Sequence, residues 1–145
     1  MYELFQLFFE TISNVLGPKL LEAISSSVYR DDSMLWGPRF GWTGVSTSKS
    51  GFFTSKAEFN PWIQFQIKQT SIEGIVVINR KDNGGERFRD IKVRAGLQSE
   101  GFNNPVVGSY RGPGVTGESH YIEFEQTTDT KYITILKVII HISIP

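Results

Sequence analysis

Residues 60–67 read N-P-W-I-Q-F-Q-I, and the alternation within them decides what kind of protein this is. Ile63, Phe65 and Ile67 fall on one side at period two and Gln64 and Gln66 on the other, the pattern of a β-strand with one face in a core and one toward solvent. Downstream, residues 71–78 (S-I-E-G-I-V-V-I) read as a buried strand, and residues 88–95 (F-R-D-I-K-V-R-A) alternate apolar and charged side chains. Between these two lies a turn, so that residues 79–96 (N-R-K-D-N-G-G-E-R-F-R-D-I-K-V-R-A-G) hold Arg80, Asp82 and Arg87 at one rim. Arginine presents a rigid, permanently charged fork of donors that suits vicinal hydroxyls, carboxylates or phosphates. A neighbouring carboxylate can fix that fork and itself accept a hydroxyl proton. Spacing alone leaves two readings open: a grip on a polar ligand, or ordinary pairing of charges at a surface turn.

The pattern continues toward the C-terminus. Residues 97–104 form a polar loop, 105–110 a short strand, and 112–117 (G-P-G-V-T-G) a loop punctuated by glycine and proline. Residues 120–125 alternate again, Asp129-Thr130 is expected to turn, and residues 131–145 (K-Y-I-T-I-L-K-V-I-I-H-I-S-I-P) are β-branched almost throughout, as one long central strand or two short ones, buried on both faces, would require. Toward the N-terminus, residues 30–60 are polar and rich in rings, with Trp36, Phe40, Trp42, Phe52, Phe53 and Phe59 set among glycines. Residues 19–29 are open to helix or strand, with strand favoured at their end. Residues 1–16 place Leu4, Phe5, Phe8, Ile12, Val15 and Leu16 near one helical face, which predicts an amphipathic helix that Gly17-Pro18 ends. The expected organisation is therefore an N-terminal helix over residues 1–18 and a β-domain over 19–145. Seven or eight short strands without alternating helices make that domain an all-β, antiparallel sandwich.

Composition narrows the function. The 145 residues suit one domain with a single core. Fifteen basic and fifteen acidic side chains cancel, so no broad field favours nucleic acid, and any basic patch is local. With no cysteine there is no disulfide framework, thiolate metal site or cysteine nucleophile. The first charges, Glu3 and Glu10, are acidic where a secretion signal wants basic residues, and the apolar run is shorter than the ~18 residues of a membrane span. His120 and His141 are the two histidines, in separate strands and without a carboxylate at ligand spacing. No nucleophile elbow or working carboxylate pair is present, so an enzyme is not expected.

The segments 50–67 (S-G-F-F-T-S-K-A-E-F-N-P-W-I-Q-F-Q-I) and 75–96 together resemble a discoidin, or coagulation factor 5/8 type C, domain. Within that superfamily the chain is most similar to the F-type lectins (fucolectins), whose motif is a histidine followed by R-x-D-x4-R or K. Arg80, Asp82 and Arg87 match the second half of it, and the resemblance extends over residues 23–135. It implies a jelly-roll β-sandwich of the galactose-binding-like type, whose loops at one end hold L-fucose. Arg80 and Arg87 would donate to the sugar, and Asp82 would orient the loop. The family's histidine falls at Ser55, or with one residue of slippage at Thr54 or Lys56, and its cysteine pair at Asn83 and Gly84. Thr54 and Ser55 would then offer hydroxyls in place of the imidazole, and Phe53 and Trp42 are candidates to stack on a sugar's apolar face. The family's calcium ion, a structural ion, would fall near Asp31 and Asp32, although the usual D-G-N pattern and the late E-V-x-V segment are absent. The implied partner is a glycan or glycoconjugate, and the implied compartment is extracellular. The alternative within the superfamily is a phospholipid-surface or protein–protein adhesion module with the sugar site lost, using Phe52, Phe53 and Trp42 as inserted rings. Oligomeric state has no signal in the sequence.

Overall fold

The alternating segment at 62–67 is the beginning of a much longer strand. The computed structural model describes residues 8–9, 11–13, 19–42, 53–79 and 84–138. Among them are the strands β1 (Phe8–Phe9), β2 (Thr11–Ser13), β3 (Leu20–Ser25), β4 (Phe53–Thr54), β5 (Trp62–Ile78), β6 (Ile91–Gly96), β7 (Val106–Tyr110) and β8 (Ser119–Lys137), with one helical turn, α1 (Ser33–Trp36). The sheet order is β2-β5-β8-β6-β7 with β3 also on β5, while β1 pairs with β4, and every pairing is antiparallel. The fold is an all-β sandwich, as the strand pattern predicts.

Its frame is the ribbon of β5 and β8, 17 and 19 residues long, paired from Trp62↔Leu136 to Ile78↔Ser119. Register shifts between Gln66 and Thr70 and between Ile72 and Gly74 interrupt the ladder. Such bulges increase the local twist and bend a strand. Beyond the bend, β5 exchanges β3 for β2 as its outer neighbour, and β8 leaves β6. Ile63, Phe65, Ile67, Ile133 and Ile135 from one half and Ile75, Val77, Ile122 and Phe124 from the other meet Ile91, Val93 and Val107 in one contiguous core. Burying side chains of this size stabilises by about 1.5–3 kcal/mol each before the entropy of ordering them is counted.

Two expectations are corrected. Where residues 1–16 are described, the amphipathic helix is replaced by strands β1 and β2, with β2 on the edge of β5 at Thr11↔Ile78 through Ser13↔Val76. Helical periodicity is a weak prior, and an unpaired strand edge offers backbone partners that override it. Asp129 and Thr130 do not turn either. They pair with Ser71 and Thr70, and β8 runs through them unbroken.

Candidate functional site

Folding the ribbon back brings both of its ends to one loop cluster. From the end of β5, the Asn79 side chain, 1% exposed, donates through Nδ2 to the carbonyls of Gly85 at 2.8 Å and Val115 at 3.1 Å. Its backbone N–H donates to Glu118 O at 2.9 Å. From the end of β8, Lys137 Nζ donates to the carbonyl of Arg87, and Val138 N–H donates to Asp90 O at 2.8 Å. The 3-10 turn Gly85–Arg87 is thus held from two sides. A third hold comes from loop 111–118, where Thr116 Oγ1 accepts from Gly85 N–H at 3.1 Å. A Cβ on Gly85 would lie 2.5 Å from the Thr116 backbone, so only glycine allows the two loops to touch.

Beneath this turn sits an aromatic stack. Phe88 lies parallel to Tyr110 at 5.4 Å, and Tyr110 lies against His120 at 4.2 Å. The Tyr110 hydroxyl donates to Glu118 Oε1 at 3.0 Å, which also accepts from Val115 N–H at 2.9 Å. Burial, the hydrogen bond to Glu118 and its negative charge all raise the Tyr110 pKa above 10.0. His120 is therefore a half-buried strand residue, as expected; His141 lies outside the described residues.

The expected site residues separate. Arg80 and Asp82 lie outside the described residues, and of Phe53 and Thr54 only the strand pairing, Phe53↔Phe9 and Thr54↔Phe8, is described. Arg87 is exposed on the clamped turn, and Arg89 and Arg111 are exposed in the same loop cluster. Ser55 is fully buried and its hydroxyl donates to Lys56 O at 2.9 Å, which takes it off the rim. Trp42 is corrected outright: it is 4% exposed and packs on Phe65 at 5.1 Å, a core ring and not a stacking platform or a membrane spike.

Asp31 and Asp32 each have a partner within the fold. Asp31 pairs with Lys56 at 2.6 Å, and Asp32 Oδ1 caps α1 by accepting from Met34 and Leu35 N–H, each at 3.2 Å. Calcium asks for 6–8 oxygens, and among the described residues no three acidic, histidine or cysteine side chains are grouped to hold a metal.

Lys137 and Asn79, which hold the turn, were not singled out in the sequence. A signal for Lys137 exists: it shares the period-two face of Ile133 and Ile135, so an inward strand face ends in an ammonium. Burial lowers its pKa from 10.5 to about 8; Asp90 opposes that shift, and Arg89 and Arg87 add to it.

No protein-family model and no curated protein matches the chain. Among solved structures it is similar to an F-lectin (fucolectin) from the serum of striped bass, Morone saxatilis, with a TM-score of 0.67 and 24% identity. The match covers 81% of this chain and 41% of that one, so the protein spans about two-fifths of the length of that lectin chain. This likeness shows the fold.

Proposed function

We propose that this protein is a non-catalytic, extracellular carbohydrate-binding module of the lectin type. Its saccharide would be held at the loop end by Arg80 and Arg87, with Asp82 orienting the first guanidinium. The observation that carries the reading is the three-sided clamp on the turn bearing Arg87, in a fold shared with a fucolectin. A ligand recognised through hydroxyls needs donors held still before it arrives, because ordering them afterwards costs affinity. Arg87, Arg89 and Arg111 bring guanidinium donors to this end, interleaved with Glu86, Asp90 and Glu118 and with Arg89 paired to Asp90 at 3.3 Å, a mixture of donors and acceptors that suits a polyhydroxylated ligand. With no histidine at 54–56 and no cysteine pair at 83–84, the grip differs from the family's, and the saccharide need not be fucose. The adhesion alternative keeps Phe52 and Phe53 but loses Trp42, which is in the core.

A glycan array tests the reading. One or more glycan classes should be retained, and arrays run with and without calcium separate an ion-dependent grip from an ion-independent one. A blank array together with binding to phosphatidylserine vesicles would replace the lectin reading with the adhesion one.

A further inference from the structure

The sheet's outer face carries a second constellation, away from the arginine turn. Cross-strand pairing sets Glu22 beside Gln66 and Gln66 beside Tyr132, and in the next row Ile24 beside Gln64 and Gln64 beside Thr134. The loop of residues 97–104 covers the second row. Gly101 sits so close that a Cβ would collide with Gln64 Oε1 and Thr134 Oγ1. Gln64 Nε2 donates to Ser99 O at 3.3 Å, and Thr134 Oγ1 donates to Gln64 Oε1 at 3.1 Å. Asn104 stiffens the loop by donating to Gln98 O at 2.9 Å and accepting from Gln98 N–H at 3.0 Å. The covering loop forms a wall, and in front of it the first row opens into a cleft of about 210 Å³ lined by Glu22, Ile24, Gln64, Gln66, Ser99 and Tyr132.

We propose that this cleft is a second ligand site, for a neutral saccharide ring. Its lining combines a carboxylate acceptor, a carboxamide with both donors and an acceptor, a phenol, and the apolar surfaces of Ile24 and the Tyr132 ring. Glu22, Gln66 and Tyr132 all line the cleft, and among the described residues their side chains make no hydrogen bond with one another or with their neighbours, which leaves their polar groups available to a ligand. Glu22, with no cation in the lining, repels an anion. A wholly apolar ligand would strip water from Glu22 and Gln66 without replacing it. A pyranose satisfies both halves, with hydroxyls on the amide and carboxylate and its C–H face on the ring. The volume lies below the ~300–1,000 Å³ of pockets for larger organic ligands, which suits one ring.

The test is a ¹H–¹⁵N titration of the whole chain with the methyl glycosides of glucose, galactose, mannose and fucose. At least one should give saturable shifts at residues 22–24, 64–66, 99–101 and 132. Those shifts should persist in Arg87→Ala, which separates this site from the loop-end one. Gln66→Ala and Tyr132→Ala should each weaken this binding about tenfold or more, which corresponds to loss of one good contact. Glu22→Gln, an exposed and nearly isosteric change, serves if Tyr132→Ala fails to fold. No shift at these residues with any of the four sugars, a response to choline chloride alone, or shifts unaltered by Gln66→Ala and Glu22→Gln would overturn the proposal.

Discussion

At the scale of single residues, the loop end depends on two buried polar side chains. Asn79→Ala would remove the side-chain donor from the carbonyls of Gly85 and Val115, which keep the backbone N–H groups of Phe88 and Glu118, and a hydrogen bond of this kind contributes about 0.5–1.5 kcal/mol net. Urea denaturation should show a loss of roughly 1–3 kcal/mol for the two together, with an unchanged m-value. Lys137 gives a pH signature. Its folded pKa of about 8 lies below the ordinary 10.5, so between those values the unfolded chain binds the extra proton. The cost of burying the ammonium is present in full below pH 8 and fades as pH rises toward 10.5. Relative to Lys137→Met, wild-type stability should therefore climb with pH across that window, by up to about 1.4 kcal/mol per unit. A gap that stays constant from neutral pH to pH ~10 would show that Lys137 titrates as it does in the unfolded chain. The burial of Lys137 is legible from the period-two face it shares with Ile133 and Ile135, but its partner Arg87 is not, and an asparagine after a strand reads as an ordinary turn residue although Asn79 also reaches Val115, far along the chain.

At the scale of elements, the sequence spoke clearly wherever one face of a strand is buried and the other is open. W-I-Q-F-Q-I put Ile63, Phe65 and Ile67 in the core, where they are. It also put Gln64 toward solvent, yet Gln64 is 8% exposed, because the loop 97–104 lies over it, and period two carries no information about such a distant cover. The same blindness explains β1 and β2, whose strand form depends on edges supplied by β4 and β5. It also explains Asp129 and Thr130, turn formers locally but held in the ladder by Ser71 and Thr70. The covering loop has its own test. A Cβ from Gly101→Ala would collide with Gln64 Oε1 and Thr134 Oγ1, so either the loop or the Gln64 carboxamide and its bonds to Ser99 and Thr134 must give way, with an expected cost of about 1–3 kcal/mol. Hydrogen exchange should accelerate at residues 97–104 while the Gly85–Arg87 turn keeps its protection. Acceleration at the turn instead would mean that the two loops are coupled.

At the scale of the molecule, one bent ribbon does most of the organising. By folding β5 and β8 back on themselves, the chain brings Asn79 and Lys137, from opposite ends of that ribbon, to the same turn. That geometry presents clamped loops at one end of the sandwich, and Arg87 stands on one of them. The ligand was less legible than the fold, because hydroxyl recognition depends on where a few side chains point and not on any periodicity. The most direct measurement is the affinity of wild type and of the Arg80→Ala/Arg87→Ala double variant for the best glycan found on the array, by isothermal titration calorimetry. Wild type should bind, and the correctly folded double variant should be weakened at least about a hundredfold, about 1.4 kcal/mol for each arginine. Equal affinity in the two proteins would contradict the arginine grip.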